Sequence, residues 1–219
     1  MTITAKQIEA GQAIYTPKML RLYDLFVLGF SNRLIWRCPT RHLLAMYDRY
    51  VTGNHLDVGV GTGFFLDRCR FPADQPRLAL MDLNANCLET TGRRVARYRP
   101  EGYRVNVLDP IALEIKKFDS IGLNYLLHCL PGTIRTKSAV FRHLKPLLNP
   151  GGVMFGATLL HDGVRRNWAA QRVMALYNSK GIFGNAQDDL DGLKKVLAEH
   201  LTLVQVEVVG CAALFSGRT

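Results

Sequence analysis

Short apolar runs alternate with longer amphipathic stretches along most of the chain. His55–Val60, Arg77–Asp82, Tyr103–Val107, Phe118–Asn124 and Val153–Leu160 are compact, apolar and bounded by turn residues, the pattern of strands buried on both faces. Between them lie stretches of helical character. Phe64–Arg70 follows the first strand, and Asn84–Tyr98 follows the second with Asn84 as its N-cap. Thr133–Leu148 reads as a helix stopped by Asn149-Pro150-Gly151-Gly152, and Arg165–Lys180 and Asp188–Glu199 read as two more. Two β-rich runs close the chain, Thr202–Val208 and Ala212–Ser216. Only Val209, Gly210 and Cys211 separate them, so they must pair antiparallel, because a parallel crossover needs about a dozen residues.

Strand–helix alternation of this kind gives an α/β fold with a mostly parallel sheet and helices on both faces. The stretch before residue 54 breaks the alternation. Tyr15–Tyr50 holds long apolar and aromatic helical segments and no strand pattern, and it reads as a helical cap on one edge of the sheet. The expected organisation is one structural domain: residues 1–53 as a cap or lid and 54–219 as the core.

The chain has 219 residues, 48% of them hydrophobic and 21% charged, which suits one globular unit and excludes disorder or coiled coil as a description of the whole. No apolar run reaches the roughly 18 residues of a membrane span, and the first residues carry no apolar signal core. The five cysteines are widely spaced without a CxxC pair. This predicts reduced thiols in the cytoplasm, not a disulfide frame or a metal site. Lys and Arg exceed Asp and Glu by 28 to 18, a net charge of +10 that raises the question of a polyanionic partner. The basic residues are dispersed, however, with no run of the kind that binds nucleic acid, so a nucleic-acid partner is disfavoured.

The most informative stretch is His55-Leu56-Asp57-Val58-Gly59-Val60-Gly61-Thr62-Gly63-Phe64, a strand, a glycine turn and the start of a helix. Gly59, Gly61 and Gly63 allow a sharp turn and a close approach of ligand to backbone, and the helix start offers free N–H groups. A dinucleotide fingerprint would need glycine where Phe64 stands. Neither a P-loop nor a GxSxG elbow occurs. Asp82 closes the second strand, about 20 residues beyond the loop, where a carboxylate can take both hydroxyls of a ribose. Asp109 follows the third strand and would reach the same crevice at an adenine amino group.

These successive strand tips resemble the class I S-adenosylmethionine-dependent methyltransferases, over about residues 53–219. Asp57–Gly63 is similar to the family's glycine-rich first motif, Asp82 to its ribose acid and Leu108-Asp109 to its adenine-side acid. Phe118–Asn124 is similar to its fourth strand, Leu144–Gly152 to the approach to its fifth, and the final hairpin to its reversed last strand. The departures are small: Val60 and Asp82 stand where other residues are commoner. The resemblance implies a Rossmann-like seven-stranded sheet and S-adenosylmethionine as cofactor. It implies a cofactor site of Asp57, Gly59, Gly61, Gly63, Asp82, Leu83, Asp109, Asn124 and, from the lid, Tyr15.

The methyl acceptor is less legible. Asn124-Tyr125-Leu126-Leu127 is not the tetrapeptide of amino-methylating nucleic-acid enzymes, and Cys129 lacks the preceding proline of a cytosine-carbon methylase. The segment is more similar to the hydrophobic-histidine loop of ubiquinone-type and other small-molecule methyltransferases. That implies a small-molecule acceptor, with RNA or protein methylation and non-catalytic cofactor binding as the alternatives. Tyr125, His128 and His161 are the expected acceptor-side residues. Either histidine would act as base or substrate contact, or His128 would only order its loop. Asp162 would fix the His161 tautomer, and Tyr15, Tyr23 and Trp36 would wall off the cofactor. A homodimer is left open.

Overall fold

The computed structural model describes residues 24–219. Tyr15 and Tyr23 therefore lie outside the described residues. Among the described residues, two helices precede the sheet: α1 (Asp24–Ile35), which has wide π-type turns, and α2 (Thr40–Tyr50). The remaining elements are β1 (Asn54–Val58), α3 (Phe64–Arg68), β2 (Arg77–Asp82), α4 (Ala85–Arg94), β3 (Glu101–Arg104), β4 (Phe118–Asn124), α5 (Ile134–Lys137), α6 (Ala139–Leu144), β5 (Leu148–Leu159), α7 (Trp168–Ser179), α8 (Leu190–His200), β6 (Thr202–Val209) and β7 (Ala212–Arg218).

The strands form one seven-stranded sheet in the order β3-β2-β1-β4-β5-β7-β6. β1 to β5 run parallel, and β7 is antiparallel to both β5 and β6. The reversed strand read from the short 209–211 connection is thus in place. Alternation with period two explains why the sheet needs cover on both faces. In β2, Leu78 and Leu80 join one apolar cluster while Ala79 and Met81 join the other. In β7, Ala212 and Leu214 face the first, and Ala213 and Phe215 the second. α2 turns Leu43, Met46 and Tyr47 inward at the i, i+3, i+4 spacing of an amphipathic helix. Tyr47 meets Phe155 of β5 edge-on, ring centroids 5.2 Å apart.

Several boundaries differ from the sequence reading. The third strand begins at Glu101, two residues early, and ends at Arg104, so residues 105–108 lie beyond its tip. The helix expected over 133–148 is broken into α5, α6 and a tight turn at Lys145–Leu147, where Pro146 lacks the N–H that would continue it. β5 starts at Leu148 and runs through the glycines that were expected to precede it. Its pairing passes from Leu148 opposite Phe118 to Val153 opposite Ser120, so Asn149–Gly152 are absorbed as an irregularity in the strand. Asn84 caps α4 as expected, accepting from the Asn86 N–H at 2.9 Å.

Strand order reverses between β1 and β4, and in open parallel sheets that is where a crevice opens at the C-terminal ends of the strands.

Candidate active site

The glycine loop connects the tip of β1 to α3. Gly59, Gly61 and Gly63 all have positive φ, +72°, +54° and +71°, a region costly for other residues. Their surroundings differ. A Cβ on Gly59 would meet Leu126 at 2.9 Å, and one on Gly63 would meet Thr91 at 2.7 Å, whereas one on Gly61 would meet nothing within 4 Å. The outer glycines therefore permit packing, and Gly61 alone of the three faces open space. The Thr91 hydroxyl donates to the Gly61 carbonyl at 3.1 Å and fixes the loop against α4.

Two cavities flank the loop and share Gly59, Gly61 and Tyr125. The larger, about 730 Å³ including its open mouth, lies over the tips of β2 and β3 and is lined by Asp82, Leu83, Asn106, Leu108 and Leu130, among others. The smaller, about 500 Å³, lies toward α1 and α2 and is lined by Leu28, Tyr47, Asp57, Phe64 and Asn124. The sequence reading thus placed Leu83, Asn124, Asp57, Asp82, Tyr125 and the glycines at cavity walls.

Asp82 sits at the base of the larger cavity. Its Oδ1 accepts the Asn84 N–H at 2.8 Å. Burial pushes its carboxyl up to about 6, against the pull of the Asn84, Gly61 and Val60 N–H groups. Asp57 is buried and accepts the Tyr47 hydroxyl at 2.7 Å, with His55 Nε2 3.5 Å away. Asn124 is buried too, and its Oδ1 has no hydrogen-bond partner among the described residues. An unsatisfied acceptor in a cavity wall is costly without a donor. Tyr125 has φ +57°, an uncommon conformation for an aromatic residue, which turns it into both cavities.

Three expected site residues lie away from the cavity walls. Asp109 is exposed, takes the Asn106 amide at 2.8 Å and does not line the cavity. The early end of β3 puts Asn106 and Leu108 at the wall instead. His128 lies outside both cavities, buried beneath Phe183 with ring centroids 4.7 Å apart. Its Nδ1 accepts the Leu159 N–H at 3.3 Å. Burial, aided by the Lys137 charge, pushes it down to about 3, so it is neutral and holds the loop after β4 against β5. His161 also lies outside both cavities, its Nδ1 3.3 Å from Asp162 and its backbone N–H on the Asp188 carbonyl. Of the lid aromatics, Trp36 is core: it is 3% exposed and its ring lies 6.0 Å from that of Phe183.

What sequence reasoning missed is how the cap is tethered. Asp24 accepts from the Thr62 hydroxyl and from Arg94, both at 2.6 Å, and so ties α1 to the glycine loop. Leu28 of the same helix lines the smaller cavity. Only a long-range contact reveals these partners, and no local motif marks them.

The parts together define a site for a nucleoside-bearing cofactor beside a second pocket, on a Rossmann-like sheet with one reversed strand. Comparison with known proteins agrees. A family profile described as "Methyltransferase domain" matches residues 56–154. A Streptomyces thioluteus protein named demethylluteothin O-methyltransferase is 39% identical over 214 residues, covering 98% of this chain and 93% of that one. The physcion biosynthesis cluster O-methyltransferase of Aspergillus chevalieri is 37% identical over 209 residues, covering 94% of each. Among solved structures, the N-methyltransferase NodS of Bradyrhizobium japonicum in complex with S-adenosyl-L-homocysteine has a TM-score of 0.61 at 14% identity, covering 92% of this chain and 97% of that one. The chain belongs to the class I S-adenosylmethionine-dependent methyltransferases.

The site fits that cofactor. Gly61 leaves the loop surface open, Asp82 offers a carboxylate at the second strand tip, and the orphaned Asn124 Oδ1 offers an acceptor for an ammonium group. If Asp82 accepts ribose hydroxyls as a carboxylate, cofactor affinity should weaken as pH falls through about 6, by at most about tenfold per unit. Calorimetry at pH 5 and pH 7.5 should show the loss, and Asp82→Asn should flatten the profile; an unchanged profile in that variant would assign the dependence elsewhere. The sign for folding is opposite. The raised carboxyl keeps its proton longer in the native state than in the unfolded chain, so its stabilising contribution is present at low pH and is lost as pH rises through about 6.

Proposed function

We propose that this methyltransferase methylates a hydroxyl oxygen of a small, largely apolar organic molecule. The observation that carries the reading is the mouth of the larger cavity, where Tyr125, Leu126, Leu130 and Pro131 form an apolar wall beside the glycine loop. It is supported by relatives named O-methyltransferases at 37–39% identity over nearly the whole chain.

In this reading Asp82 holds the ribose, Asn106 and Leu108 flank the base, Gly61 admits the ligand backbone, and Asn124 receives the ammonium of the amino-acid end. S-adenosylmethionine supplies, when bound, a methyl group on an electrophilic sulfonium. The chain's task is then to hold the acceptor oxygen in line and exclude water. Leu28 and the segment before residue 54 serve as the lid, tied down through Asp24. No histidine lines either cavity among the described residues. The acceptor hydroxyl is therefore acidic enough to lose its proton to water, as a phenol or enol is, and the +10 surface draws the resulting anion inward. RNA acceptors are disfavoured by the dispersal of the basic residues along the chain. The four buried cysteines suit a reducing cytoplasm.

The test is transfer of labelled methyl to a panel of phenols, enols and amines. Transfer confined to amines, or to RNA or protein, would refute the proposal. His128→Asn and His161→Asn should keep single-turnover rates within about threefold of wild type, far from the 10²–10⁴-fold loss of a general base. His128→Asn should nevertheless lower thermal stability, because it disturbs a buried contact.

A further inference from the structure

Six large apolar side chains project from the described surface, Leu203 and Val208 on β6 and the other four on α1 and α7. Phe30 and Leu34 of α1 are more than half exposed, while on α7 Trp168 is 71% and Leu176 48% exposed. The helices meet at this point, since the Asn167 side chain donates to the carbonyls of Leu34 at 3.2 Å and Ile35 at 3.1 Å. Trp168, Arg172 and Leu176 follow one another at four-residue spacing along α7, and the Arg172 guanidinium lies 5.3 Å from the Trp168 ring centroid. Arg33, Arg37 and Arg165 are exposed around the cluster. Neither residues 25–47 nor residues 163–187 contain a single Asp or Glu. The acids bordering these segments are Asp24, Asp48, Asp162 and Asp188, and Asp162 lies 3.5 Å from Arg166.

We propose that this α1–α7 face docks onto an anionic lipid bilayer. Projecting Phe, Leu and Trp side chains in a ring of arginines have the chemistry of the headgroup boundary: apolar groups enter the acyl margin, tryptophan stays at headgroup depth, and the cations meet lipid phosphates. The absence of acids over two long segments removes the repulsion that an ordinary mixed-charge surface would feel. A second copy of the chain is a poor occupant, because a two-fold contact would set arginine against arginine. Docking would also bring the cleft close to the bilayer, since Leu28, on the same helix as Phe30 and Leu34, lines the smaller cavity.

The chain has two tryptophans and Trp36 is 3% exposed, so a change in emission on docking reports Trp168. The full chain should co-sediment with vesicles of equal parts phosphatidylcholine and phosphatidylglycerol, but not with phosphatidylcholine alone, and its emission should shift to the blue. Salt should weaken the association. Arg172→Glu, and separately Phe30→Ser with Leu34→Ser, should each weaken it about tenfold or more, with circular dichroism unchanged. Failure to sediment with the anionic vesicles overturns the proposal. So does sedimentation with unmoved Trp168 emission and undiminished binding by both variants, which would mean diffuse charge attraction. Capture of RNA or an acidic protein through the same residues without vesicle binding also overturns it.

Discussion

Gly61→Val should abolish measurable cofactor binding, a loss of about 100-fold or more, while the protein remains folded. A β-carbon at this position meets no protein atom within 4 Å, so its new methyl groups would project into the space shared by the two cavities. The φ of +54° adds strain of about 1–3 kcal/mol, which the fold must absorb. Gly63→Val is the instructive contrast. There the side chain collides with Thr91, which holds the loop to α4, so the expected defect is in stability. Calorimetric titration with S-adenosylhomocysteine and thermal unfolding of both variants separate the two effects. If Gly61→Val binds normally, the ligand does not pass over this loop.

Lys137→Ala should destabilise the fold by about 3–5 kcal/mol, among the largest effects of any single substitution in this chain. Lys137 and Asp188 are both fully buried, with Nζ 2.5 Å from Oδ2, and Nζ also donates to the Gly184 carbonyl at 2.9 Å. Burial pushes the lysine down and the aspartate up, while each opposes the shift of the other. Removing the ammonium leaves a carboxylate in the core with no countercharge. For a chain of this size, the loss corresponds to a fall in Tm of about 6–20 °C. Lys137→Met combined with Asp188→Leu should recover most of it, because a well-packed apolar pair can replace a buried ion pair. A single Lys137→Ala variant with wild-type Tm would show that the pair contributes nothing net. The pair ties α5 to the 184–188 segment, whose Gly184 N–H donates to the His128 carbonyl at 2.8 Å.

The fold and cofactor half of the site were legible because their determinants are local. Alternating apolar runs specify strands, and a three-residue connection forces a reversed final strand. Three glycines at alternate positions mark a loop whatever surrounds it, and Asp82 ends a strand whose bounds the sequence shows plainly. Asp109 lies off the cavity wall because β3 ends three residues before the end that its apolar run suggests. That strand is short and mostly exposed, so no buried alternation marks its ends. The placement of the acceptor-side histidines was illegible for a different reason. His128 and His161 follow strand tips, as catalytic residues do, but their orientation depends on Phe183, Leu159 and Asp188 from distant segments. Whether a histidine points into a cleft or under a helix is set by packing, which sequence spacing does not encode.

The sequence by itself determined a parallel sheet with a reversed last strand, a glycine loop open to a nucleoside cofactor, and a carboxylate at the second strand tip. Each follows from periodicity or from residue types at short range. Only the tertiary structure decided that the loop is tied to α1 through Asp24, that Asn124 is left with an unpaired acceptor, that both histidines lie outside the cleft, and that arginines and aromatics from residues 30–37 and 165–176 share one face. These are contacts between segments far apart in the chain, fixed by the helices closing over the sheet, and no local pattern of residues determines which of them meet.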